Sequence, residues 1–197
     1  MAIETRAQTD PDRALVDASA AGDPEAFHDL VRRYEARIFN FMRVSTGGDA
    51  EAEDLAQEVF IRAFRALERF RGDSSFKTWL YTIATNVVRT HLTRRSRWQA
   101  VRTVWAGSER GDDMNAEPEP EARDEDVERA LVRRDAIDRA LATLSPDLRL
   151  VITLRDVEGL DYREIAAALG VPIGTVESRL FRARQRLRPL LEPLVGK

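Results

Sequence analysis

The chain has 197 residues, 43% of them apolar, enough for one or two domains with a real core. It has no cysteine, which excludes disulfides, thiol catalysis and cysteine-ligated zinc and fits a cytoplasmic protein. The formal charge of -3 is unevenly spread: Glu109–Glu128 holds ten acids against Arg110 and Arg123, and the other residues carry 29 basic and 24 acidic side chains. Nucleic acid therefore stays open as a partner.

Residues 1–9 have little to pack and are expected to form a disordered tail. No signal peptide and no run of about 20 apolar residues is present, so no membrane insertion is expected. Asp10-Pro11 opens a short helix ending near Gly22. Asp23-Pro24-Glu25 starts another, in which Phe27, Leu30, Val31, Tyr34, Ile38 and Phe41 recur at helical spacing until Thr46-Gly47-Gly48. From Asp49 a further helix carries Leu55, Val59, Phe60, Ala63, Phe64, Leu67 and Phe70 on more than one stripe, which predicts a central helix packed on several sides. Its front is acidic (Asp49, Glu51, Glu53, Asp54, Glu58). Acids there suit the helix dipole, but Asp54, Gln57, Glu58 and Arg62 fall close to one face and suit a protein partner as well.

After RGDSS, with Ser74 or Ser75 as cap, a helix is predicted with Phe76, Leu80, Ile83, Ala84, Val87 and Val88 as its core series. From Ser74 to Ser108 there is no acid, while Lys77, Arg89, Arg94, Arg95, Arg97 and Arg102 are basic. Such a run suggests a polyanion surface. The helix interleaves Phe76, Lys77, Trp79, Tyr81, Asn86, Arg89 and Arg94; aromatics beside cations suit unpaired bases, which stack for about 1–3 kcal/mol each. Phe76 and Trp79 fit core packing equally well. The first domain is expected to be all-helical over residues 10–97, followed by a linker over 98–126. The acidic part of that linker, with Pro118 and Pro120, cannot bury enough surface to offset its ordering entropy.

The second domain is expected over 127–197. Leu131, Ile137, Leu141 and Leu144 mark one helix, and Ser145-Pro146-Asp147 caps the next, which Gly159 ends. Then Asp161 and Glu164 form a capping box, Gly170 a left-handed stop, and Pro172 suits the first turn of a second helix. At 100° per residue Val176, Leu180, Ala183 and Leu187 share a stripe roughly 60° wide that should face inward. Ser178, Phe181, Arg182 and Gln185 lie opposite, with Thr175, Arg179 and Arg186 on one flank and Glu177, Arg184 and Arg188 on the other. An aromatic and an arginine most remote from the core fit a recognition helix in a DNA major groove; a basic amphipathic helix in a bundle is the plainer alternative. His28 and His91 stand beside no evident nucleophile and no phosphate-cradling glycine loop occurs, so no catalytic residue, metal or cofactor is expected and the chain is not read as an enzyme.

Two stretches, DAEAEDLAQEVFIRAFRALERFRGDSSFKTWLYTIATNVVRTHLTRR from Asp49 and LDYREIAAALGVPIGTVESRLFRARQRLR from Leu160, in this order, resemble the extracytoplasmic-function sigma factors of bacterial RNA polymerase. The resemblance implies an all-α fold of two small helical domains, an N-terminal bundle and a C-terminal helix-turn-helix domain, joined by an acidic flexible linker. It implies binding to the clamp coiled coil of core RNA polymerase through Asp54, Gln57, Glu58 and Arg62. It implies capture of the melted non-template strand of the minus-ten element by Arg71, Ser74, Ser75, Phe76, Lys77, Trp79, Tyr81, Asn86, Arg89, Arg94 and Arg95. The duplex minus-thirty-five element would be read by Thr175, Glu177, Ser178, Arg179, Phe181, Arg182, Arg184, Gln185 and Arg186, with the second domain docked on the polymerase flap. An anti-sigma factor as inhibitor and a role in stress response are implied too. Family members often carry a basic residue where this chain has Glu177, so that position is expected to affect base preference. An ordinary helix-turn-helix regulator with a sensing or dimerising first domain is the alternative. The 29 arginines against 2 lysines suggest a GC-rich genome.

Overall fold

The structure is a computed structural model that describes residues 10–48, 50–105 and 125–195. The tail 1–9, Asp49 as a helix opener and most of the acidic linker lie outside the described residues. Among the described residues every regular element is helical.

Helix α1 (Arg13–Ala20) is short and anchored at its start. Asp12, buried at the cap position, accepts from Tyr34 and Arg33, and Asp10 accepts from Phe76 N–H at 2.7 Å, tying the first residues to the start of a distant helix. Helix α2 (Pro24–Thr46) begins as expected: Asp23 accepts from Glu25 N–H at 2.9 Å, with proline in the first turn. It ends at Gly47, whose φ of +84° is the left-handed stop that glycine adopts without steric cost.

Helix α3 (Ala52–Ala66) buries Ala52, Leu55, Ala56, Val59 and Ala63, one stripe only, and tightens into a 3-10 turn at Leu67–Arg69. This corrects the expectation of a central helix. Ile61 and Phe64 are 51% and 57% exposed, and the element touched by α1, α3 and the later helices is α2, which buries Leu30, Tyr34, Ile38, Phe41 and Met42. Helix α4 (Phe76–Trp105) is capped by Ser75, whose Oγ accepts from Thr78 N–H at 3.1 Å. It runs past Arg97, the expected end, through Trp105.

In the second half, α5 (Glu125–Ala142) puts Ala140 and Leu141 into the core, but Leu131 and Ile137, expected there, are exposed. Helix α6 (Pro146–Ile152) passes into a π-helical turn at Thr153–Val157 instead of continuing regularly to Gly159. The wider turn, closed by Glu158 N–H to Thr153 C=O at 3.0 Å, re-aims the residue that follows it. Helices α7 (Tyr162–Leu169) and α8 (Ile173–Val195) complete the half. Pro172 stands just before α8, not inside it.

The two halves do not hang apart on their connection. Their buried side chains form one continuous apolar cluster, with α4 lying against α7 and α2 against α5 and α6. Apolar burial there, at about 25 cal/mol per Å², contributes to holding them together. Polar bonds give the seam its register: Arg43 makes a two-pronged pair with Asp138 at 2.5 and 3.1 Å, and Arg149 donates to Val44 C=O at 3.4 Å.

Candidate nucleic-acid interface

The pair α7–α8 is built by local chemistry. Asp161 accepts from Glu164 N–H at 2.8 Å while Glu164 accepts from Asp161 N–H at 2.7 Å, a reciprocal capping box. Gly170, at φ +64°, turns the chain, and Val171 N–H returns to Ala166 C=O at 3.1 Å. Along α8 the inward stripe is as the periodicity predicts: Val176, Leu180, Ala183 and Leu187 are all buried.

Thr175 and Arg179 are half-buried, whereas Glu177, Ser178, Phe181, Arg182, Arg184, Gln185 and Arg186 are exposed, Phe181 at 64%. Two arginines are tethered: Arg179 to Asp147 at 2.6 Å and Arg184 to Asp156 at 2.8 Å. The hydrogen bond that Arg184 donates to Asp156 raises the pKa of its guanidinium above the ordinary value. Among the described residues no acid pairs with Arg182 or Arg186, so the outer face of α8 offers an aromatic ring, an amide and two guanidinium groups without an ionic partner.

The acid-free helix α4 is divided. Arg71, Ser74, Asn86, Arg94 and Arg95 are exposed; Ser75, Lys77, Trp79 and Arg89 are half-buried. Phe76 is in the core, edge-on to Tyr34 with ring centroids 5.6 Å apart, and it also meets Phe70 and Trp79. Of the two readings open for Phe76, core packing is what this structure displays. Trp79 shares the cluster, 5.0 Å from Phe70, yet keeps part of its surface outside.

Tyr81 departs from its expected place on an open surface. It is fully buried, edge-on to Phe41 at 5.3 Å, and its hydroxyl donates to Glu158. Burial first, then the Glu158 carboxylate, push its ionisation well above the usual phenol range. The physical reason is the second half, which covers the ridge Lys77, Tyr81, Thr85, Arg89 that repeats every fourth residue along one line of α4. Lys77 donates to Glu158 C=O, Thr85 to Ala168 C=O at 2.9 Å, and Arg89 to Leu169 C=O at 2.8 Å. Thr78, beside the ridge, donates to Glu164 at 3.0 Å. Desolvation, then the nearby Arg37, lower the Lys77 ammonium from its ordinary value.

On α3, Asp54, Gln57 and Arg62 are exposed and Glu58 is half-buried, with Arg62 bonded to Glu58 at 2.5 Å. The sequence reading missed the apolar component of this face: Ile61 and the outward part of Phe64, which meets Phe27 edge-on at 5.0 Å. It also missed Arg37 and Glu158. A single glutamate in a charged DVEG turn has no sequence signal for burial.

Comparison with known proteins bears on what these surfaces meet. The family models for Sigma-70 region 2 and Sigma-70, region 4 match residues 30–98 and 134–187. The chain is similar to the RNA polymerase sigma-H factor of Pseudomonas aeruginosa, 40% identical over 188 residues covering 93% of this chain and 95% of that one. It is likewise similar to the ECF RNA polymerase sigma-E factor of Escherichia coli (strain K12), 38% identical over 187 residues, 94% and 97% of the two chains. Among solved structures it is similar to CnrH in complex with the cytosolic domain of CnrY, with TM-score 0.64 and 27% identity, covering 92% of this chain and 97% of that one. It is also similar to the sigma factor RpoE in complex with the anti-sigma factor NepR from Bartonella quintana, with TM-score 0.64 and 26% identity over 87% and 98%.

Proposed function

The chain belongs to the ECF sigma factors of the sigma-70 family, and from that premise we propose how its two halves divide one promoter between them. As a sigma factor it binds core RNA polymerase and directs promoter recognition, melting and transcription initiation; it is an initiation factor and not an enzyme. The residue assignments that follow are our reading.

The second domain, 127–197, reads the duplex minus-thirty-five element with Thr175, Glu177, Ser178, Arg179, Phe181, Arg182, Arg184, Gln185 and Arg186, and docks on the polymerase flap. The observation that carries this is the outer face of α8, where Phe181, Arg182 and Gln185 stand opposite the buried stripe. Guanidinium and amide groups match the donor and acceptor pattern of the major groove, and a ring matches the thymine methyl. Within it Arg179 and Arg184 are held by their acids, and Arg182 and Arg186 are available to phosphate or base.

The first domain, 10–97, captures the unpaired non-template strand of the minus-ten element with Arg71, Ser74, Ser75, Lys77, Trp79, Asn86, Arg89, Arg94 and Arg95. Phe76 supports Trp79 from within the core, and Tyr81 joins the surface only when the second half moves off α4. Binding bases already out of the stack offsets the few kcal/mol of unstacking, which favours the melted state and leaves the chemistry to polymerase. The face of α3 with Asp54, Gln57, Glu58 and Arg62, to which we add Ile61, meets the clamp coiled coil, an apolar contact rimmed by charge.

An anti-sigma factor fits as inhibitor, given that the similar structures hold CnrY and NepR. We place the protein in the cytoplasm, where polymerase works; among the described residues no helix is long and apolar enough to cross a membrane. Run-off transcription with purified core polymerase and a promoter library tests the assignment: promoter-dependent initiation that falls with Arg182→Ala and Trp79→Ala is expected. Unchanged initiation by both variants would sink it.

A further inference from the structure

Glu158 is a buried carboxylate outside the surfaces already assigned. It is 3% exposed, lies at the seam between the halves, and has its conformation set by the π-helical turn before it. The partners of its side chain all come from the first half. Arg37 reaches the carboxylate from Nε at 3.0 Å and from its second guanidinium arm at 2.9 Å, and the Tyr81 hydroxyl donates to the same oxygen. The main-chain carbonyl of Glu158 accepts from Lys77 and, at 3.2 Å, from Arg37. A carboxylate this deep is tolerated only while those donors stay in place, because an unpaired buried charge is far costlier than a solvated one.

The same closure puts acceptors on the donors of α4. Leu169 C=O and Ala168 C=O, at the C-terminal end of α7 where the helix dipole is negative, receive Arg89 and Thr85. These oxygens occupy, chemically, the place of a nucleic-acid backbone on the ridge Lys77, Tyr81, Thr85, Arg89.

We infer that Glu158 is an intramolecular latch: in the polymerase-free chain it holds the second half over α4, so that the protein masks its own single-strand surface until the latch is drawn. This rests on assigning Lys77 and Arg89 to the minus-ten strand. Apparent affinity for that strand then scales with the fraction of open molecules.

The test uses the full chain, which contains no cysteine of its own. Spin labels at Glu68→Cys and Arg163→Cys, both exposed and one in each half, report the separation by pulsed electron resonance, without DNA. Binding is read by anisotropy of a fluorescein-labelled single-stranded DNA of mixed sequence, and helix content by circular dichroism. Glu158→Ala and, independently, Arg37→Gln should retain helix content, lengthen the label distance and tighten binding by about tenfold. Unchanged distance and affinity in a folded variant overturns the latch. Opening without tighter binding overturns the masking and counts against the minus-ten assignment, while leaving Glu158 as the closing contact. Should Glu158→Ala lose helix content, Arg37→Gln decides; loss in both variants makes the cluster a folding element and overturns the proposal.

Discussion

Leu180 and Phe181 are neighbours on α8 with opposite surroundings, and substituting each with alanine tests the face assignment directly. Leu180 is 1% exposed, in the stripe with Val176, Ala183 and Leu187 that fastens α8 to α6 and α7. Truncating it removes the transfer energy of the lost methyl groups and leaves a cavity, together about 2–5 kcal/mol. At 2–4 °C per kcal/mol for a chain of this size, a mid-range loss of about 3 kcal/mol lowers the melting temperature by roughly 6–12 °C. Phe181, 64% exposed, contributes little to the fold, so Phe181→Ala should shift melting by less than about 2 °C, in keeping with a surface change of about 0.5 kcal/mol. Its cost should appear at the promoter instead: one lost base contact of about 1–3 kcal/mol corresponds to a 5- to 150-fold weaker complex. Melting by circular dichroism and competition for minus-thirty-five duplexes by the polymerase holoenzyme measure the two effects. If Phe181→Ala melts as early as Leu180→Ala, the inward and outward faces are misassigned. If it melts normally and competes as well as the unaltered protein, the exposed ring does not touch DNA.

Two more outcomes are expected. Glu177→Ala removes a carboxylate that repels phosphate but can accept from cytosine N4, so it should bind all duplexes more tightly and lose preference at one base position; unchanged rank order over a minus-thirty-five library would show that Glu177 reads nothing. Asp161→Ala dismantles the capping box and should cost about 1 kcal/mol, a drop of a few degrees in melting temperature, with melting equal to the parent as the contrary result.

The parts legible in the sequence are those whose cause is local. The cap at Asp23, the stop at Gly47, the box at Asp161 and Glu164 and the stripe Val176, Leu180, Ala183, Leu187 each depend on residues within a few positions, and each stands where the periodicity and cap chemistry put it. What escaped depends on elements remote in sequence. The Arg37–Glu158 bond spans 121 positions and the Tyr81–Glu158 bond 77, so no window of helical periodicity contains either. The same cause explains α3: its second apolar stripe was read as core, but Phe64 stays outward because α2 takes the central position. Leu131 and Ile137 fail likewise, since hydrophobicity marks what can be buried and the docking of other helices decides what is.

With Lys77 and Arg89 assigned as proposed to the minus-ten strand, the closed arrangement and the promoter complex ask the same donors for different acceptors, and that shapes how the protein switches. In the closed state Arg89, Thr85 and Lys77 bond to main-chain carbonyls of the second half, which carry partial charge and release no counterions. On DNA, in the proposed assignment, Arg89 and Lys77 meet phosphates with full charge, and each neutralised phosphate adds about 0.7 to the salt slope of single-strand binding. Salt therefore weighs on the two states unequally, weakening the nucleic-acid complex while leaving the partly buried seam almost untouched. The seam also has a second contact, Arg43 with Asp138, that involves none of the assigned promoter residues. Losing Glu158 alone should thus loosen the cover over α4 while α2 and α5 remain paired, so opening can proceed as a hinge about that remaining pair. Polymerase, which in the proposed assignment meets α3 on its exposed face, has no need to displace that hinge in order to receive the protein.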